Sequence, residues 1–430
     1  MTHFGILCPA LTGHLNTMLP LGQELQRRGH QVTLFSILDA QAKTMAAGLG
    51  FQALGESEFP SGWTDQWNAK QGELKGFAAL RYSFNRFQEL AAMQLRYTPE
   101  ALKTAGVEAL LVNQVLLEGT TIAEFLNIPF ITVCSALMLN GDPNHDIPPY
   151  FTNSDYNPTS STARLRNQRN YMLLGGLGQP IQDLIAEYRR EWNLTPHHLN
   201  HDENYSQLAQ ICQQPAEFEF LRPHLPPHFH FTGPYANSAS REPVPFPFEK
   251  LTAQPLIYAS MGTLQNRLFE VFRDIAEACV GLDAQLVISL GGAASPESLP
   301  ELPGNPLVVS YAPQLELLQK AALTITHAGL NTTLESLSHG VPLVAIPVTS
   351  DQPGVAARIV WTGVGEVIPI AHLNVSSLRS AIAKVLSEDS YKKNALRLQA
   401  AIGQAGGVSR AIDIVEQAVS TGKPVLAQSL

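Results

Sequence analysis

An α/β protein built from Rossmann-like domains, each a doubly wound parallel sheet, is the fold class this sequence predicts, on three observations. The chain has 430 residues, and at roughly 150 residues per domain as a soft prior two or three domains are expected. Its short apolar runs, such as Leu307 to Ser310, Leu323 to Thr326 and Leu343 to Ile346, are continuous rather than alternating. That is the pattern of parallel strands covered on both faces. Such runs alternate with stretches of helical spacing, giving strand-turn-helix-strand units.

Composition agrees. Hydrophobic residues make up 45% and charged residues 15%, with a net charge of -9, which leaves ample core and argues against a general nucleic-acid binder, since that needs a basic face. Net charge says little about small anionic ligands, because backbone dipoles can build a local anion site. The four cysteines, Cys8, Cys134, Cys212 and Cys279, make neither a CxxC nor a zinc spacing, and read as buried thiols of a reducing cytosol. The opening MTHFGILCPALTGH lacks a basic n-region and is not read as a signal peptide. No run approaches the roughly 18 uninterrupted apolar residues of a membrane span. Cytoplasmic residence is expected, and peripheral association with a membrane surface stays open.

In chain order, His3 to Cys8 reads as a strand, punctuated by Pro9 and Gly13. Leu15, Met18, Leu19, Leu21 and Leu25 repeat at helical spacing, Gly29 ends that helix, and Val32 to Phe35 is the next strand. The turn between lacks GxGxxG, so no dinucleotide site is expected. His14 stands in that turn at a helix N-terminus. The positive helix end disfavours imidazolium, so the ring should stay neutral and able to accept a proton; the plain reading is a capping residue. Between Phe51 and Ala101 lie Trp63, Trp67, Phe77, Tyr82, Phe84 and Phe87, read singly as core and collectively as a possible lining of an apolar pocket. Ala109 to Val112 is a strand, a helix begins near Glu118, and Phe130 to Cys134 is another strand. From there to about Asn204, Pro, Gly and Asn punctuation reads as loops and helices, with Asp183 to Trp192 helical. His197, His198 and His201, near Asp202 and Glu203, read as a solvated loop rather than a metal site, since no other element supports metal chemistry. Thr232-Gly233-Pro234 closes a short strand, and the Pro- and Ser-rich segment Asn237 to Pro255 is the linker candidate.

The second half repeats the pattern: strand Leu256 to Ser260, strand Gln285 to Leu290, and the three apolar runs above. Between the last two runs lies the turn His327-Ala328-Gly329-Leu330-Asn331, then a helix expected to start at Thr332 and Thr333. A strand, a Gly-containing turn and a helix N-terminus aim backbone N–H groups and a positive helix end at one spot, an anion site to which His327 can add a donor. Ser376 to Leu386 and Val408 to Val419 carry helical spacing.

The stretch Tyr311 to Gln352 resembles the donor signature of the nucleotide-sugar glycosyltransferases of family 1, which have the GT-B fold. The matching residues are Tyr311-Ala312-Pro313-Gln314, His327, Gly329, Asn331, Glu335, Gly340-Val341-Pro342, Pro347 and Asp351-Gln352. The resemblance implies two Rossmann-like domains facing a central cleft. Residues 1–236 would bind the acceptor and 255–407 the donor, with a final helix near 408–424 crossing back to the first domain. It implies that Tyr311 stacks on the base; many members carry Trp there, so the platform is smaller. Gln314 and Glu335 would hold ribose hydroxyls, and a carboxylate suits a diol. His327, Asn331 and Thr332 would hold the diphosphate, and Asp351 and Gln352 would read the sugar. Ser260-Met261-Gly262-Thr263 is similar to the family's small-residue turn on the donor side.

By the same resemblance Gly13-His14 is the catalytic turn, with His14 deprotonating the acceptor hydroxyl. Where the family has an Asp paired to that His, this chain has Asn113. An Asn can orient an imidazole but offers no charge. In Ser-His-Asp triads the same exchange costs about 10⁴ in rate while geometry survives. Three accounts compete: an inactivating substitution, a replacement carboxylate such as Glu118, or an acceptor that a slow base can still deprotonate. The run VEALLVNQ…EGTTIAEFLNIPFITVCSAL…NGDP…IPPYF looks like the bacterial branch that glucosylates hydroxylated carotenoids. The expected reaction is inverting transfer of glucose from UDP-glucose, a co-substrate, to a hydroxyl of a lipophilic acceptor, with neither cofactor nor metal. Phenolic or macrolide-like acceptors, a donor-binding protein with a disabled His, and a nucleotide-sugar epimerase are the rival readings.

Overall fold

The computed structural model describes residues 1–152, 154–197, 201–235, 244–263, 267–292 and 294–427. His198 and residues 237–243 of the linker candidate lie outside them, as do the side chains of His201 and Asp202. Among the described residues two parallel sheets are present. The first is built from β1 (His3–Leu7), β2 (Gln31–Ser36), β3 (Gly50–Ala53), β4 (Ala109–Asn113), β5 (Phe130–Cys134), β6 (Gln210–Cys212) and β7 (Phe229–Phe231), in the order β3-β2-β1-β4-β5-β6-β7. Its helices are α1 (Thr12–Arg27), α2 (Gln41–Ala46), α3 (Trp63–Glu73), α4 (Gly76–Ala105), α5 (Gly119–Leu126) and α6 (Ser161–Glu191). The second sheet holds β8 (Leu256–Ser260), β9 (Gln285–Ser289), β10 (Leu307–Val309), β11 (Ala321–Thr326), β12 (Leu343–Ala345) and β13 (Gly365–Val367), in the order β10-β9-β8-β11-β12-β13. Its helices are α7 (Phe269–Cys279), α8 (Gln314–Leu318), α9 (Leu330–Ser338), α10 (Gln352–Thr362), α11 (Val375–Ser387) and α12 (Asp389–Gln404), and α13 (Gly407–Thr421) follows.

The central strands are buried along their whole length, β1, β4 and β8 at every position, which is why they read as continuous apolar runs. The expected strands match to within two residues. α1 ends at Arg27, and Gly29 takes φ +92°, the left-handed turn that only glycine adopts without cost. α13 packs into the first core: Ala411, Ile412, Ile414, Val415 and Ala418 are buried in the cluster that holds β1 and α1. Arg28 fastens it from outside, donating from Nη1 to Asp413 at 2.6 Å and Glu416 at 2.7 Å.

Two local expectations are corrected. α9 starts at Leu330 rather than at Thr332, because Gly329 supplies the extended N-cap (φ -63°, ψ 134°). Thr332 and Thr333 therefore sit inside its first turn. The segment read as mixed loops and helices contains one 31-residue helix, α6, that carries Gly175, Gly176, Gly178 and Pro180 in its interior. Each glycine disfavours a helix by about 1 kcal/mol relative to alanine. Burial of Ala163, Ile181 and Ile185 on one face overrides that local preference.

Candidate functional site

Each sheet reverses its strand order once, between β1 and β4 and between β8 and β11. Crevices at such reversals, beyond the carboxyl ends of the strands, are where open α/β sheets bind ligands. The four turns that leave these strands carry His14, the residues after Asn113, Ser260 to Thr263, and His327 to Gly329. One cleft of about 1280 Å³ is lined by Gly13, His14, Ser260, Gly262, Thr263, Tyr311, Ala312, Gln314, His327, Gly329, Asn331, Thr332, Glu335, Asp351 and Gln352. Asn113, fully buried, stands directly behind His14.

On the first-domain side, His14 sits in the first turn of α1. Its Nδ1 lies 3.2 Å from Asn113 Oδ1 and 2.8 Å from Ser135 Oγ. Asn113 Nδ2 in turn donates to Ser135 Oγ at 2.8 Å. Loss of hydration pulls the His14 pKa down to about 4, against a raising contribution from Asn113. The ring is thus neutral at physiological pH, and the cause is burial. Glu118 does not take the place of the missing charge. It caps α5 from a buried position, outside the cleft lining, and His14 Nδ1 is held by Asn113 and Ser135 instead.

On the second-domain side the N-terminus of α9 faces the cleft, and its N-cap is Gly329, with no side-chain hydrogen bond capping the helix. His327 is wedged between two glycines. A Cβ at Gly262 would lie 2.4 Å from its ring, and one at Gly329 2.5 Å away. The space the small residues leave is therefore filled by the imidazole itself, which burial keeps neutral with a pKa of about 4. Ala328 and Ser350, both non-glycine, hold φ of +66° and +58° beside this wall, local strain of the kind found at ligand sites. Gln314 donates to Glu335 Oε2 at 2.6 Å and receives the Tyr258 hydroxyl at 3.1 Å. The two proposed ribose readers thus pre-orient each other. Tyr311 is 42% exposed at the rim.

Several of these residues also join the domains. Asn331 donates from Nδ2 to Gly13 O at 2.8 Å and accepts at Oδ1 from Gln213 at 2.8 Å. Asp351 accepts from the Leu137 N–H at 3.1 Å, and burial raises its pKa. Gln352 turns Oε1 inward, onto the N–H groups of Val348 and Thr349. Beside the cleft, Arg358 of α10 reaches Glu219 of the first domain: Nε donates to Oε2 at 2.8 Å, Nη2 donates to Oε1, and the guanidinium lies 4.3 Å from the Phe220 ring.

The cleft continues into an apolar chamber between α3, α4 and α6, where Trp67, Phe84, Phe87, Leu174, Gly178 and Ile181 face inward. Trp67 and Phe87 serve both readings, since they also pack in the core through an edge-on contact at 5.2 Å. Phe77 stands apart, 49% exposed. His197 lies 3.8 Å from Glu124, and no cluster of three or more potential metal ligands occurs among the described residues. Sequence reasoning missed Ser135, Gln213 and the Glu219–Arg358 pair. Ser135, Gln213 and Glu219 are single polar residues in loops or just past strand ends, Arg358 is a lone buried cation inside α10, and only the fold gives each a partner.

The family model described as UDP-glucoronosyl and UDP-glucosyl transferase matches residues 8–404. A zeaxanthin glucosyltransferase of Pantoea ananas is 32% identical over 434 residues, spanning 100% of this chain and 99% of that protein. A zeaxanthin glucosyltransferase of Pseudescherichia vulneris is 30% identical, spanning 99% of this chain and 100% of that protein. Among solved structures, the calicheamicin glycosyltransferase CalG4 matches with a TM-score of 0.75 at 22% identity, over 99% of this chain and 100% of that one. The glycotransferase of kitacinnamycin gives 0.74 at 21%, over 97% and 99%. The two structural likenesses speak to the fold, which is the GT-B arrangement.

Proposed function

Because the chain belongs to the UDP-glucoronosyl and UDP-glucosyl transferase family and is thus a sugar-transferring enzyme, we propose that it moves glucose from UDP-glucose, with inversion, to a hydroxyl of a lipophilic acceptor, a hydroxylated carotenoid. The observation that supports this most is the meeting of a neutral histidine and a bare helix N-terminus across one cleft that opens into an apolar chamber.

In this reading the acceptor lies in the chamber with its hydroxyl at His14 Nε2. As the oxygen attacks the anomeric carbon, His14 takes the hydroxyl proton. The new C–O bond forms on the face opposite the breaking bond to the diphosphate, so configuration inverts. The leaving diphosphate gathers charge at the first turn of α9, where unpaired N–H groups and the hydroxyl of Thr332 are already in place. Tyr311 carries the base, Gln314 and Glu335 the ribose, and Asp351 with Gln352 the sugar hydroxyls. The carotenoid assignment draws on the two relatives above and on the apolar residues that line the chamber.

The test is UDP release from UDP-glucose with and without hydroxylated carotenoids, phenols and macrolides, for the unmodified chain and for Asn113→Asp. Carotenoid-dependent release by the unmodified chain is expected. Release by the Asn113→Asp protein alone would make this a donor-binding protein with a disabled base. Release of isomerised donor without acceptor would make it an epimerase.

The same reading places acceptor uptake at a membrane surface. No helix among the described residues is long and apolar enough to cross a membrane, but the outer face of α6 exposes Leu165 (62%), Met172 (72%) and Leu173 (45%) on the same helix as Arg166 and Arg169. Exposed apolar side chains with arginines suit an anionic bilayer. Co-sedimentation with anionic vesicles, lost in Met172→Glu/Leu173→Glu and absent with zwitterionic vesicles, is the expected result.

A further inference from the structure

The Asn113 side chain has a fixed orientation. Its Oδ1 accepts from the Val115 N–H at 3.3 Å. Its Nδ2 points the other way, to Ser135 Oγ at 2.8 Å and toward Cys8 Sγ at 3.9 Å. A flipped amide would set an N–H against the Val115 N–H. With Oδ1 so placed, an acceptor faces His14 Nδ1 at 3.2 Å in a buried spot. Two lone pairs facing each other there would repel, so Nδ1 must carry the proton, and Nε2 keeps the lone pair that a base requires. Ser135 Oγ is nearer to Nδ1, at 2.8 Å. The Asn113 amide occupies one of its two acceptor sites, which leaves the other for Nδ1–H.

We propose that Ser135 is a positioning residue for His14: its hydroxyl oxygen, oriented by the Asn113 amide, shares the Nδ1 proton with Asn113 Oδ1 and supplies the second acceptor that fixes the base-competent tautomer where no carboxylate is present. The proposal rests on His14 acting as the base. A neutral amide oxygen alone is a weak anchor for a ring that becomes a cation during transfer. Two neutral oxygens on one N–H, one of them polarised by an Asn113 N–H already fixed by the sheet, make a stronger one. The arrangement depends on adjacent strand ends: Asn113 closes β4 and Ser135 follows β5, and these strands pair in parallel.

The tautomer can be read directly on the full-length protein from the ¹⁵N shifts of its histidine rings, with His14 assigned by its loss in His14→Gln. A proton on Nδ1 is expected in the unmodified chain, and a mixture of tautomers in Ser135→Ala. A proton on Nε2 in the unmodified chain would overturn the proposal, since Ser135 would then donate to Nδ1 and silence the base. In turnover, Ser135→Ala should lower kcat by roughly 10- to 100-fold, taking as a guide the cost of losing a partner that orients a metal-bound histidine, with KM for UDP-glucose unchanged. Ser135→Thr, which keeps the hydroxyl, should restore the rate. In an Asn113→Asp background, where a carboxylate holds Nδ1–H, the cost of Ser135→Ala should largely disappear; an equal cost in both backgrounds would show a merely structural role. If the unmodified chain shows no acceptor-dependent UDP release, the transferase reading fails, while the ¹⁵N measurement still decides on Ser135.

Discussion

In the proposed reaction His14 is the base, and its cost of charging keeps it unprotonated before the acceptor arrives. Burial holds its pKa near 4, below the ordinary value of 6.5, so the acid limb of kcat/KM, which reports the free enzyme's base, is expected near pH 4 rather than 6.5. Asn113→Asp places a carboxylate against Nδ1; an opposite charge favours the imidazolium, so the limb should move toward neutral pH, as a pH–rate profile would record. His14→Ala should reduce transfer by roughly 10²- to 10⁴-fold, the usual worth of a positioned base, with UDP binding by calorimetry unaffected. His14 and His327 also tie stability to pH. Their folded pKa values lie below the unfolded one, so between about pH 4 and 6.5 the unfolded chain binds more protons. Their contribution is complete above that window and is lost as pH falls through it.

At the scale of single helices, α5 carries a built-in cost. Its N-cap, Glu118, is buried with Oε1 unpartnered, and burial lifts its pKa to about 8. The folded chain then holds a proton that the unfolded chain releases between about pH 4.5 and pH 8, so stability falls as pH rises through that window. Glu118→Gln keeps the shape and removes the ionisation. By scanning calorimetry the variant should be the more stable protein above about pH 8, and its advantage should shrink as pH falls toward 5. In α6 the glycines shape the chamber. A Cβ at Gly178 would sit 3.5 Å from Phe84, ordinary contact for a methyl group but a wall for anything larger. Gly178→Leu should leave the helix intact, since leucine is the better helix former. It should raise KM for a bulky acceptor roughly tenfold or more, while donor affinity stays constant.

Over the whole molecule, the two domains meet through polar contacts that share residues with the cleft. The Arg358–Glu219 pair is nearly inaccessible, with side chains 2% and 1% exposed. Removing one partner of such a pair strands the other charge, at about 3–5 kcal/mol. Arg358→Met should therefore lower the stability read by denaturant titration by about that amount. Arg358→Met/Glu219→Leu, which removes both members of the pair and leaves only Arg222, 3.8 Å from Glu219, without its carboxylate, should recover part of the loss. If the pair instead contributes nothing, both proteins will unfold at the midpoint of the unmodified chain. The contacts of Asn331 with Gly13 and Gln213, and of Asp351 with Leu137, lie in the cleft itself. Residues read from sequence as donor contacts are thus domain contacts as well.

The sequence by itself determined the alternation of strands and helices, the turns that leave β1, β8 and β11, and the side chains gathered in those turns. These are local properties: buried parallel strands must be apolar throughout, and a turn onto a helix N-terminus needs small or capping residues within a few positions. The donor stretch from Tyr311 to Gln352 was legible for that reason, since strand, turn and helix follow one another along the chain. Only the tertiary structure decided what those turns face. Asn113 and Ser135 are 22 residues apart, and His14 is 121 residues from Ser135. Pairing of β1 with β4 and of β4 with β5 brings all three within hydrogen-bond reach. The glycine-rich α6 became a helix because burial of one face outweighed local propensity. His327 took the space that the glycines left because two turns from different strands meet there. Such contacts depend on which strands lie side by side, which hydrophobic periodicity along the chain does not encode.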